Sequence, residues 1–151
     1  MRKNYNLPKH VRNYIIQELY DYKSNKKKLL EIQENIINAS AYSDGQPRGN
    51  QTSDTTARKA EKLITSKSVL IVTNKINNIE RALERLSEED QELVDIIFFK
   101  KRNQAQAETQ FGISYATYYG VRDKMIYLTA IEYGEVWNDY TGYKELWTWN
   151  W

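Results

Sequence analysis

Residues 114–124 read SYATYYGVRDK, and their side chains are of the kinds that meet a nucleic acid rather than the kinds that make and break bonds. Arg122 carries a planar fork that matches the O6 and N7 acceptors of guanine. Ala116 and the methyl of Thr117 fit against the methyl of thymine, and Tyr115 and Tyr119 suit phosphate, sugar and base edges. Just upstream stand Lys100, Lys101, Arg102, Asn103 and Gln104, which together with Ser114 and Lys124 offer donors to phosphate oxygens. The expected division of labour is base reading by Tyr115, Ala116, Thr117, Tyr119 and Arg122, with the second set holding the backbone of double-stranded DNA.

Bond-making chemistry has little to work with. The 151 residues include no cysteine, which excludes disulfides, thiolate metal sites and cysteine nucleophiles and fits an intracellular protein. His10 is the single histidine, so histidine-based triads and His-rich metal sites are out of reach. No Gly-rich phosphate loop, convincing carboxylate pair or metal-ligand spacing is visible. Neither an enzyme nor a bound cofactor or metal is expected. The apolar run VLIV at residues 69–72 is far too short to span a membrane, and residues 1–10 lack the apolar stretch of a signal peptide. The expectation is a soluble, cytoplasmic protein.

A formal net charge of +2 hides an uneven distribution. The balance is +4 over residues 1–38, −2 over 39–97, +3 over 98–129 and −3 over the remainder. The basic segments are therefore the first helix and the stretch that carries the candidate readers.

Positioning those readers requires a helical frame. Val11, Ile15, Leu19, Tyr22, Leu29 and Ile36 recur at helical spacing after Pro8 and predict a basic amphipathic helix within residues 1–39. Its apolar stripe is interrupted by KSNKKK at 23–28, which makes either a solvated bump or a break between two helices. Residues 40–56, SAYSDGQPRGNQTSDTT, read as a polar loop. With Ser53 or Asp54 as its cap, a long helix is predicted over 57–86, carrying Leu63, Ile64, Leu70, Ile71, Ile76, Ile79 and Leu83, with a possible interruption at Thr73 and Asn74. An antiparallel hairpin of these two helices, or a dimeric bundle made from it, would cover both stripes. LSEEDQEL then starts a further helix, with Ser87 as N-cap, Asp90 three residues on and acidic side chains in the first turn.

Residues 87–130 are expected to be a helix-turn-helix domain. Gly112 makes the turn, Ser114 caps the second helix, Ile113 plugs the corner, and Ala107, Phe111, Tyr118, Val121, Met125 and Ile126 face inward. Gly120, unfavourable inside a helix, suits a close approach to phosphate.

The stretch LSEEDQELVDIIFFKKRNQAQAETQFGISYATYYGVRDKMIYL resembles the C-terminal region four of bacterial sigma factors, and the wider arrangement is similar to the RinA and ArpU group of phage late-transcription regulators. The likeness covers roughly residues 7–130 and includes the loop ending in GNQTSDTTARKAEKL. It implies an all-α fold, an N-terminal long helical hairpin followed by a sigma region-four-like helix-turn-helix, and a phage or prophage activator of late packaging and structural genes. It also implies that Tyr115, Ala116, Tyr119 and Arg122 read DNA and that RNA polymerase is a partner. The chain departs from sigma factors at Gln106, where they usually carry an acidic residue, and at Tyr115, where they usually carry a basic one, so the promoter sequence does not transfer.

Residues 131–151 form an aromatic-rich tail holding all four tryptophans, Trp137, Trp147, Trp149 and Trp151. Such anchors suit packing back on the bundle, self-association into a homodimer or small oligomer (which the N-terminal helices also offer), or docking on a partner such as polymerase. An alternative function is a DNA-binding assembly protein such as a small phage terminase subunit, which would form a large ring. A site-specific recombinase fragment would need a catalytic domain, and the serine-containing loop has no arginine cluster around it.

Overall fold

Pro8 stands immediately before the first helix, where its missing N–H costs nothing, and its carbonyl accepts the Arg12 N–H at 2.9 Å. The computed structural model describes residues 6–41 and 54–135. Among them every regular element is helical: α1 (Lys9–Ala41), α2 (Asp54–Glu84), α3 (Glu88–Val94), a π-helical turn (Asp95–Phe99), α4 (Gln104–Phe111) and α5 (Tyr115–Glu132).

The helices decide between the two alternatives at KSNKKK, move the start of α2 and close its possible interruption. α1 continues to Ala41 without a break at KSNKKK, because the lysines are good helix formers and stand in solvent while Tyr22 and Asn25 are buried. α2 starts at Asp54 rather than 57, and it runs unbroken through Thr73 and Asn74. Most of the expected polar loop, Ser53 included, and nearly all of the aromatic tail lie outside the described residues.

The chain divides into two units, Met1–Asp21 with Asn78–Trp151, and Tyr22–Asn77. In the second unit Tyr22 and Ile76 are buried, whereas Leu30, Ile36, Ile37, Leu70 and Ile71 are exposed. Ile36, Leu70 and Ile71 were expected on covered stripes; within this unit they face solvent.

The first unit holds a continuous core. Val11, Ile15 and Leu19 keep the four-residue spacing of one face of α1 and are buried, as are Ile79, Ala82 and Leu86 around the end of α2. From the rest come Val94, Ile97, Phe98, Ala107, Ile113, Tyr118, Val121, Met125, Ile126 and Leu128. α3 is started by Ser87, whose hydroxyl accepts the Asp90 N–H at 3.2 Å, with Glu88, Glu89 and Asp90 in the first turn. The helix then widens into the π turn, closed by the Lys100 N–H on the Asp95 carbonyl at 2.7 Å. Ile97 and Phe98, adjacent in sequence, both lie inside there. α5 packs on α3 and on α4, so the second half of the unit is braced from two directions.

Candidate nucleic-acid interface

α4 and α5 are set by caps written into the sequence. Asn103 accepts the Gln106 N–H at 2.9 Å, and the Gln106 side chain accepts the Asn103 N–H at 3.1 Å, a complete capping box. At the other end Gly112 takes φ 68°, the left-handed region that glycine enters without penalty. Its N–H bonds the Glu108 carbonyl at 3.0 Å and the Ile113 N–H reaches Ala107 at 3.2 Å. Ser114 then caps α5, accepting the Thr117 N–H at 3.2 Å.

This turn corrects one expectation. Phe111 does not face inward: it is 45% exposed. The left-handed turn draws the backbone of Ile113 back onto Ala107, and Ile113 is the buried apolar side chain at this end of α4. Ala107, Ile113, Tyr118, Val121, Met125 and Ile126 are inside as the spacing required.

The opposite face of α5 carries the candidate readers. Tyr115, Ala116 and Thr117 are exposed, and Tyr119 and Arg122 are half-buried. The Tyr115 and Tyr119 rings, one turn apart, lie 4.6 Å between centroids, and Tyr119 meets Tyr118 edge-on at 5.1 Å. The Ser114 hydroxyl also donates to the Thr117 hydroxyl at 2.9 Å, so the two oxygens satisfy each other locally.

The candidate phosphate-binding residues are not equivalent. Lys100 and Lys101 are exposed, Lys100 being 3.1 Å from Asp95. Lys101 has φ 53°, a left-handed conformation for a residue with a Cβ, and its ammonium lies 5.8 Å from the Tyr20 ring centroid on α1. Arg102 is half-buried, and its Nε is enclosed with no hydrogen-bond partner. Asn103 is committed to its cap, and Gln104 donates to Glu108 at 3.0 Å. Lys124 is held by Asp90 at 2.9 Å, tying α5 to α3.

Two further connections join this face to the rest of the unit, and neither has a sequence motif. The Tyr118 hydroxyl donates to the Arg102 carbonyl at 2.8 Å. Burial pushes the Tyr118 phenol above its ordinary value, partly offset by the Arg122 charge, so it stays a donor. Arg12 on α1 pairs with Asp123, the residue after Arg122, and removes a carboxylate charge from the edge of the candidate surface. A basic residue on the buried-stripe helix and an acidic one on α5 are the only hints the sequence holds of that pair.

Among the described residues no cluster of histidine, cysteine or carboxylate side chains could hold a metal ion, and no helix is long and apolar enough to cross a membrane. Comparison with protein families, with curated proteins and with solved structures finds no match.

Proposed function

We propose that the chain is a sequence-specific DNA-binding transcriptional regulator in which α4, the Gly112 turn and α5 act as a helix-turn-helix of the sigma region-four type. The observation that carries this reading is the two-faced character of α5. One face is core, while the first two turns of the other present Tyr115, Ala116, Thr117 and Arg122 beside exposed cations in the loop before α4. A helix presented this way fits the major groove, with Arg122 and Tyr119 on base edges and Lys100, Lys101 and the start of α5 on phosphates. Lys124, engaged with Asp90, stiffens the module instead of anchoring DNA.

By its resemblance to the RinA and ArpU group, the protein is an activator of phage or prophage late genes that works with host RNA polymerase in the bacterial cytoplasm. α1 and α2 serve as a helical arm for dimerisation or for polymerase. Selection of bound duplexes from a random pool tests the reading. An enriched motif that Tyr119→Ala/Arg122→Ala loses supports it, and retention of only salt-sensitive general binding overturns it. Arg122→Ala is expected to cost about 1–3 kcal/mol on the selected site, while Lys101→Ala weakens all sequences and flattens the salt dependence.

A second reading, a DNA-binding assembly protein of the small terminase kind, draws on the exposed Leu30, Ile36, Ile37, Leu70 and Ile71 of the unit Tyr22–Asn77. Particle mass separates the two: a large ring for the assembly protein, a monomer, dimer or small oligomer for the regulator.

A further inference from the structure

The composition of the reading face says what kind of base it suits. Residues 115–122, the first two turns of α5, contain no Asn, Gln, Lys, Asp or Glu. The bidentate purine readers are Arg or Lys for guanine and Asn or Gln for adenine, so Arg122 alone can act that way here. Of the amides on α4, Gln106 is in the capping box and Gln104 is on Glu108, while Gln110 is exposed beside Phe111, before the turn and outside these two turns of α5.

What the face offers instead is apolar surface. Tyr115 is 53% exposed with its ring packed on Tyr119, and the Ala116 side chain is a bare methyl. Thr117 has its hydroxyl turned to Ser114, which leaves its methyl as the group presented. Phe111, at the end of α4, adds a second exposed ring immediately before the turn. In the major groove one base carries an apolar group, the C5 methyl of thymine.

We infer that the surface formed by Tyr115, Ala116, Thr117 and Phe111 selects thymine through its C5 methyl, within a site that Arg122 orients by one guanine. The inference rests on the DNA-reading function proposed above and names the ligand chemistry of the same face. Recognition is by burial of methyl groups and so is indifferent to which hydrogen-bonding atoms flank them. The preferred duplex is rich in A·T pairs around a single fixed G·C pair.

The test uses the full-length protein and the duplex recovered by selection, with each thymine in turn replaced by deoxyuridine, which pairs identically and lacks only the methyl. Affinity is expected to fall about three- to fivefold at each contacted position, the size expected for one methyl removed from an apolar contact. Tyr115→Ala/Phe111→Ala is expected to shrink the difference between thymine and uracil duplexes, while Lys101→Ala weakens both and keeps the difference in full. Both altered aromatic side chains are exposed, and unchanged helical circular dichroism confirms that the fold survives. An enriched motif that is indifferent to every thymine-to-uracil exchange overturns this inference and leaves the DNA-reading function standing. Absence of any enriched motif overturns both.

Discussion

Tyr118 donates its phenol to the carbonyl of Arg102 at 2.8 Å, joining the first turn of α5 to the loop that carries the exposed lysines. The bond couples the surface proposed to read bases to the one proposed to hold phosphates. Replacing Tyr118 with Phe keeps the buried ring and removes only the donor. The expected cost is about 0.5–1.5 kcal/mol, the usual net value of one internal hydrogen bond. In urea unfolding the midpoint should fall with the slope unchanged. An unmoved midpoint would show that water replaces the bond at no cost.

Alkaline pH should test a second phenol. Tyr133 donates to Glu18 at 3.0 Å and meets Tyr14 edge-on at 5.9 Å. Burial first, then the Glu18 charge and hydrogen bond, push its phenol far above the ordinary 10.0, and burial raises Tyr118 as well. Below that ordinary value folded and unfolded chains hold the same phenol protons, and these groups give stability no slope. Above it the unfolded chain loses protons that the native chain keeps, so stability must fall as pH rises. Denaturation midpoints measured from neutral pH to about pH 11 should decline above about pH 10. In Tyr133→Phe the decline should be shallower, and an equal decline would locate the effect in other groups.

Much of the frame is local chemistry and was legible in the chain. Ser87 with Asp90, the Gly112 turn, and Ser114 at the start of α5 satisfy backbone groups within three or four residues, and such features announce themselves by spacing; the Asn103–Gln106 capping box is equally local, yet Asn103 reads in the sequence as a phosphate contact. The buried face of α5 followed from periodicity in the same way. Phe111 was misplaced because periodicity treats α4 as if it continued, while the left-handed Gly112 substitutes Ile113 in the core. The π turn at Asp95–Phe99, the left-handed Lys101 and the pairs Arg12–Asp123 and Lys124–Asp90 depend on which elements meet in space. The last of these matters most for the site, since it withdraws Lys124 from the cations that looked able to face DNA.

Glu132 offers a test of how the end of α5 is held. Its carboxylate lies 3.2 Å from Arg81 Nε and 2.6 Å from an Arg85 Nη, and its side chain is 12% exposed. Glu132→Gln leaves two guanidinium groups around a neutral amide. Because the Arg81 and Arg85 side chains are 57% and 41% exposed, the loss should be modest, about 0.5–1 kcal/mol, and smaller at high salt. Thermal unfolding at low and at 1 M salt checks both parts; a salt-independent loss would assign the effect to packing.

Gly120 separates stability from binding at a single position. It sits inside α5, is exposed, and a Cβ added there meets nothing within 4 Å. Its backbone is helical, so Gly120→Ala removes the entropy penalty of glycine without a clash and should stabilise the fold by about 0.5–1 kcal/mol. If the bare backbone serves close approach to DNA, the same variant should bind the selected duplex more weakly although it is more stable. The two quantities are measured independently, by thermal unfolding without DNA and by titration with the duplex. A variant that is more stable and binds equally well would mean that the surface around Gly120 stays clear of the groove wall.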